Sequence, residues 1–210
     1  MKRFTVALTA LLLIAAAAAA PAPARAAATQ RVVLAGGCFW GMQLVFGSLS
    51  GVRSAVAGYS GGRADTAHYE TVSTGSTGQA ESVEVTYDPS AISFHQLLDV
   101  YFLIAHDPTQ LNRQGPDEGT QYRSEIFYTT PSQRDQAAAY VARLERQRVY
   151  ASPIVTKFAP LRGFYPAESY HQNYAVHNMD NPYIVVNDLP KLRELRRKYP
   201  ALVKAGAPQA

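Results

Sequence analysis

The sequence predicts an α+β fold: a two-layer sandwich with a ferredoxin-like βαββαβ core, extended by an additional C-terminal strand and helices. Three observations predict it. Short runs that read as strands fall at 32–35, 52–58, 82–87 and 124–129, the third of them alternating. Helical patterns lie between the first and second of these, at 39–49, and between the third and fourth, at 94–104. The segment joining the second and third, 59–81, includes the glycine-bearing stretch "GGRADTAHYE", which has no apolar stripe. Strand, helix, strand, strand, helix, strand is the order that lays both helices on one face of a mainly antiparallel sheet.

The N-terminus precedes this core. Lys2 and Arg3 are followed by an apolar run to Ala20, then by "PAPARAAATQ" with the small-x-small site Ala24-Arg25-Ala26. This reads as a secretory signal peptide over residues 1–26, cleaved, rather than an uncleaved membrane anchor, because prolines and the cleavage site follow the run directly. Residues 27–210 then form one domain, long enough for a full core, in a periplasmic or secreted protein. Removing Lys2, Arg3 and Arg25 leaves 17 Lys+Arg against 16 Asp+Glu, so the basic balance of the whole chain says little about partners. The only dense basic cluster, 191–198, fits a solvated helix face, and no nucleic-acid partner is expected.

In the mature chain, "RVVLA" reads as the first strand and Gly36-Gly37 as a turn. Met42, Val45, Phe46 and Leu49 then share one helix face. Cys38, the single cysteine, therefore sits in or just before the first turn of a helix. No internal disulfide is possible. A lone cysteine is often buried and inert, but free N–H groups and the dipole at a helix start favour a thiolate and lower the thiol pKa. Phe39 shares the stripe and reads as core. Trp40 lies off it, and Gly41 is a poor interior helix residue. An aromatic pair next to a nucleophile is able to cup a small apolar group.

Beyond the 59–81 loop, "AESVEVTYDP" alternates, with Glu81, Val83, Val85 and Tyr87 on one face and Ser82, Glu84 and Thr86 on the other. Glu84 is expected to be solvated. Glu81 either lies in an apolar setting that raises its pKa and makes it a general acid, or reaches water at the strand end. Ser93 and Gln96 form a capping box before 94–104. A second long loop, 105–122, is expected to gather near Cys38 with the first. Ser132 with Asp135 is expected to start a helix over 133–147. A strand at 153–158 and helices at 167–176 and 192–198 complete the chain.

A lone thiol and a protonated carboxyl suit attack on an electrophilic atom while an acid protonates the oxygen attached to it. Cysteine hydrolases pair the thiol with histidine. None of the five histidines is near Cys38 in sequence; His171 and His177 are six apart, HExxH and CxxC are absent, and no metal site is expected. Two other classes compete. "GYSGG" matches the serine-hydrolase elbow with Ser60 central, and Asp117 and His171 follow in the right order; yet no helix pattern follows it. A non-catalytic binding module for methionines or thiols would have no need of an acid.

"GGCFWG" resembles the signature of the A-type peptide methionine sulfoxide reductases. "VRSAVAGYSGG", "HYETV", "GQAESVEVTYDP", "HDPTQLNRQGPDEGTQYRS", "FYPAESYHQNY" and "NPYIVVNDLPKL" agree, in order, from Val32 to Leu192. The resemblance implies an oxidoreductase that repairs oxidised protein by reducing methionine S-sulfoxide, free or in proteins, through a sulfenic acid on Cys38. It implies Cys38 as nucleophile, Glu81 as acid, Phe39 and Trp40 as the pocket for the S-methyl group, and Tyr69 and Tyr122 as phenols hydrogen-bonding the sulfoxide oxygen. It implies Asp117 as an acidic residue in substrate or reductant steps, although Pro116 replaces the small polar residue expected there. The C-terminal region lacks the further cysteines of many members, which places the chain in a single-cysteine subgroup. Regeneration must then use an external thiol: a thioredoxin-like protein, a glutathione-type thiol, or dithiothreitol in vitro. No bound cofactor is expected, and the mature chain is expected to be a monomer without stable membrane association.

Overall fold

The structure is a computed structural model that describes Met1 and residues 28–209. The rest of the expected leader and its cleavage site lie outside the described residues. The strands are β1 (Gln30–Gly36), β2 (Val52–Ser60), β3 (Ala80–Tyr87), a small hairpin of β4 (Arg113–Gln114) and β5 (Asp117–Glu118), then β6 (Ser124–Tyr128), β7 (Lys157–Pro160) and β8 (Phe164–Pro166). Six of them form one sheet in the order β7-β6-β1-β3-β2-β8. Its pairs are antiparallel except β6–β7. The inner four, β6-β1-β3-β2, are the four strands of the expected βαββαβ core.

β1 reads as a continuous apolar run because the sheet is covered on both faces at its centre. Val32 and Leu34 join the main core with the helices, while Val33 and Ala35 join a small cluster with Ala80 and Phe127 on the opposite face. The helical layer holds α1 (Phe39–Gly47), α3 (Phe94–Val100), α4 (Pro131–Arg146) and α7 (Leu189–Lys198), with short α2 (Tyr69–Val72), α5 (Tyr174–His177) and α6 (Pro182–Asn187) near the sheet ends. α3 runs on into a wider π turn over Tyr101–Ala105, so the expected helix 94–104 is present in two geometries. Its capping box is present: Gln96 N–H donates to Ser93 Oγ at 3.2 Å, and Ser93 N–H to Gln96 Oε1 at 2.9 Å.

Three expectations need correction. α4 starts at Pro131, capped by Thr130, whose Oγ1 accepts from Gln133 N–H at 3.2 Å; Ser132 is inside the helix. Proline at the first helical position loses no bond there, which places the start two residues earlier than Ser132 suggests. The strand expected at 153–158 is displaced to β7, because Val155 N–H is drawn to the carbonyl of Pro108 instead of a neighbouring strand. The helix expected over 167–176 is absent as a unit. The Gln172 amide bonds both the N–H and the carbonyl of Ala57 on β2, at 3.1 and 2.9 Å, and also the carbonyl of Ala167. Asn173, left-handed at φ 54°, then separates a 3-10 turn (Ser169–His171) from α5. A part-buried side chain that imitates a strand partner outweighs the helical pattern here. α6 was not foreseen; Asn181 caps it by accepting from Tyr183 N–H at 2.9 Å, and an Asn-Pro start reads equally well as a turn.

Candidate active site

Cys38 is the N-cap of α1, with extended backbone (φ −53°, ψ 125°). Gly37 turns the chain there at φ 94°, and a Cβ on it would lie 2.6 Å from the Gln114 side chain. α1 is buried almost all round, from Phe39 through Phe46, so its start is fixed by the core rather than by one stripe.

Glu81 comes from the start of β3, opposite Tyr59 of β2, and is 3% exposed. Its Oε2 accepts the main-chain N–H of Phe39 at 3.0 Å. Burial pushes the carboxyl up to about 8, against the pull of that N–H, so it carries a proton at neutral pH. The apolar-face reading of Glu81 holds, and the reading that it reaches water does not. Glu84, on the other face, is partly exposed and paired with Arg31 at 3.1 Å.

The thiol is not lowered, contrary to the expectation for a helix start. Burial pushes Cys38 well above the ordinary thiol range, negative charge on Glu81 and Asp188 adds to this, and only the Trp40 N–H works the other way. One of the N–H groups that would favour a thiolate, that of Phe39, is given to Glu81. The unliganded site is therefore a neutral thiol beside a neutral carboxyl.

The aromatic side chains divide as their positions suggested. Phe39 is 1% exposed and packs on Tyr59 and His171, with ring centroids 5.8 and 5.0 Å away. Trp40 is half-buried. It stacks on Tyr174 at 4.0 Å, meets Tyr183 edge-on at 6.1 Å, and donates its indole N–H to His171 Nδ1 at 3.1 Å. That bond makes Nδ1 an acceptor, so the proton of the neutral imidazole is on Nε2; burial lowers the His171 pKa and keeps the ring neutral.

The two long loops do converge on this point. Tyr69 opens α2 with its ring 4.5 Å from His171. Glu168 fixes it from behind: Oε1 accepts Tyr69 N–H and Oε2 accepts Tyr59 OH, both at 2.9 Å. Tyr122 ends a 3-10 turn, and burial together with the nearby Glu81 and Asp117 carboxyls raises its phenol, so it remains a donor. Asp117 lies in β5 and accepts a hydrogen bond from Tyr183 OH. Burial raises its carboxyl, while Tyr183 and Lys191 work against this. Pro116 fits this hairpin. Gly115 is first in the two-residue turn at φ 57°, and a proline with φ fixed near −65° is second, the sign pattern of a type II′ turn. A cleft of about 160 Å³ reaches Cys38 between this hairpin and the α6–α7 segment.

Residues 30–202 match the family model described as peptide methionine sulfoxide reductase. The chain belongs to this family. It is 54% identical over 177 residues to peptide methionine sulfoxide reductase MsrA 2 of Mesorhizobium japonicum, covering 84% of this chain and 91% of the relative. It is 48% identical over 180 residues to MsrA 2 of Synechocystis sp., covering 86% and 84%. Among solved structures it is similar to Mxr1 from Saccharomyces cerevisiae in reduced form, with TM-score 0.67 at 32% identity, covering 73% of this chain and 87% of that one. Methionine sulfoxide reductase A of Corynebacterium diphtheriae gives TM-score 0.63 at 34% identity, covering 72% and 76%.

In this reductase fold the competing hydrolase arrangement is not assembled. Ser60 is fully buried at the end of β2, its hydroxyl donates to the carbonyl of Gly163 at 2.5 Å, and a bend rather than a helix follows. His171 Nδ1 is taken by Trp40 and Asp117 by Tyr183. Sequence reasoning gave no site role to Tyr174, Tyr183, Glu168 or Asp188. Only the last left a trace. Gly41 was out of place as a helix residue, and the structure gives the reason: a Cβ there would lie 2.0 Å from Asp188 Oδ1.

Proposed function

We propose that this chain reduces the S epimer of methionine sulfoxide, free or in proteins, to methionine, with Cys38 as nucleophile and Glu81 as acid. One observation carries the reading: a buried, protonated carboxyl is held by the N–H of Phe39, the residue directly after a cysteine at a helix start. Trp40, with Phe39 behind it, receives the S-methyl group. Tyr69 and Tyr122 hold the sulfoxide oxygen as protonated phenols. Cys38 Sγ attacks the sulfoxide sulfur while Glu81 protonates the oxygen. In net terms sulfoxide and thiol become thioether and sulfenic acid, with one oxygen passing from substrate to Cys38. The raised thiol pKa keeps Cys38 unreactive toward bystander oxidants until the positive end of the sulfoxide dipole arrives beside it.

With no second cysteine in the chain, the sulfenic acid is resolved by an external thiol. A first thiol forms a mixed disulfide with Cys38 and releases water; a second releases Cys38 and leaves as a disulfide. The basic n-region, apolar run and Ala24-Arg25-Ala26 support export by a cleaved leader, with residues 27–210 acting as a monomeric repair enzyme outside the cytoplasm.

The test is a single turnover without thiol. The mature protein should form one methionine per molecule and stop, gain about 16 Da on Cys38 and take up dimedone at that residue. Cys38→Ser should do none of this. Sustained turnover without thiol, or a burst in Cys38→Ser, would place the nucleophile elsewhere.

A further inference from the structure

The cleft that reaches Cys38 has one cationic side chain in its wall. Gln114, Gly115, Pro116 and Asp117 form one side, and Tyr183, Val186, Asn187 and Lys191 the other. Lys191 is not a free surface lysine. Its side chain is 19% exposed, and Nζ donates to Asp188 Oδ1 at 3.1 Å, its only partner among the described residues. Asp188 is fully buried, and its Oδ2 has no partner. The pair is seated on the first turn of α1, where Gly41 leaves room: an ideal Cβ there would lie 3.0 Å from Nζ. A buried carboxylate thus pins an ammonium beside the helix turn that begins at Cys38, with two of its three N–H groups uncommitted.

The first half-reaction makes little use of this charge, since its substrate group is neutral and its acid is Glu81. The second brings a thiol to the sulfenic acid, and the attacking species is the thiolate. A cation in the approach favours that form and attracts anionic groups on the molecule that carries it.

We propose that Lys191, pinned by Asp188, is a positioning residue for regeneration, and that it selects small thiols bearing a carboxylate as the reductant class. The step balances as follows. The thiolate sulfur forms a bond to Cys38 Sγ, the sulfenic S–O bond breaks, and the hydroxyl leaves as water with one proton. A second thiol of the same class then reduces the mixed disulfide. This rests on the proposed sulfoxide reduction, and the test keeps the two apart.

Enzyme is first oxidised with methionine sulfoxide in the absence of thiol, and the burst of methionine is recorded. The sulfenic acid form is then mixed with 3-mercaptopropionate, 2-mercaptoethanol or cysteamine, which are anionic, neutral and cationic, and its disappearance is timed. Wild type against Lys191→Met is read as a ratio for each thiol, which removes differences in thiol reactivity. The ratio should fall by roughly fivefold to tenfold from the anionic to the neutral thiol and reverse for the cationic one; Lys191→Arg should keep the wild-type order. A Lys191→Met/Asp188→Asn variant, which leaves no unpaired buried carboxylate, should show the same charge dependence. Equal ratios for all three thiols in both variants would overturn the assignment while leaving sulfoxide reduction intact. Absence of a burst in the wild type would overturn the proposed reaction itself.

Discussion

The main-chain N–H of Phe39 donates to Glu81 Oε2 across 3.0 Å, joining the first turn of α1 to the first residues of β3. This bond sets the Glu81 carboxyl beside Cys38, because Phe39 directly follows Cys38. It also pulls against burial, which pushes the carboxyl up to about 8.

Glu81→Gln should keep the fold and lose roughly 10²–10⁴-fold in turnover, the range for a lost general acid. Glu84→Gln, on the opposite face with Arg31, should change little. Equal losses in the two would contradict the assignment of faces.

The raised carboxyl also gives a pH dependence of defined sign. Its folded pKa, about 8, lies above the ordinary 4.5. Between those values the unfolded chain releases a proton that the folded chain retains, so this group's contribution to stability falls as pH rises through that window. Glu81→Gln should match the wild type near pH 4 and melt higher than it at pH 9. Wild-type turnover should decline as Glu81 loses its proton near pH 8. A wild-type advantage in melting at pH 9 would mean the carboxylate is stabilised in place.

Phe39 and Trp40 should respond differently. Phe39→Ala removes a side chain that is 1% exposed and should cost about 3–5 kcal/mol of stability. Trp40→Ala, at a half-buried position, should cost activity more than melting temperature. Unchanged kinetics with a large drop in melting temperature in Trp40→Ala would make it a packing residue only.

Gly41→Ala should destabilise, because its Cβ would meet Asp188 Oδ1 at 2.0 Å and Cγ at 2.7 Å. The loss should shrink in an Asp188→Ala background. Additive effects in that double-mutant cycle would show that the two positions do not touch.

Ser60→Ala should lower stability by about 1–2 kcal/mol, since it strips a buried donor from the Gly163 carbonyl. Sulfoxide reduction should persist. Ester hydrolysis abolished by this change would revive the hydrolase reading.

The parts of the site that could be read from sequence are those with a local signature. Cys38 stood at a strand–turn–helix junction, and Glu81 broke the alternation of a strand. Each of these signals spans fewer than about ten residues. His171 lies 131 positions from the Trp40 indole it accepts from, and nothing periodic marks it. Tyr183 and Asp188 belong to a segment whose Asn-Pro opening reads as a turn. The helix expected over 167–176 is absent as a unit for a related reason. Gln172 carries no strand pattern, yet its amide takes the place of a strand neighbour against Ala57, and only the fold reveals that partnership.

The central place of β1 has a consequence for synthesis. β1 is made first, yet it is flanked in the sheet by β3 and β6, and its residues Val33 and Leu34 pair with both. Until residue 128 has emerged, both of its hydrogen-bonding edges cannot be closed. Such long-range pairing is slow to form. Throughout that interval the thiol at position 38 lacks the burial that raises it, and it meets solvent with an ordinary cysteine's reactivity. A newly made chain is therefore more open to oxidation than the finished enzyme, and whatever keeps its thiol reduced acts before it can turn over any substrate.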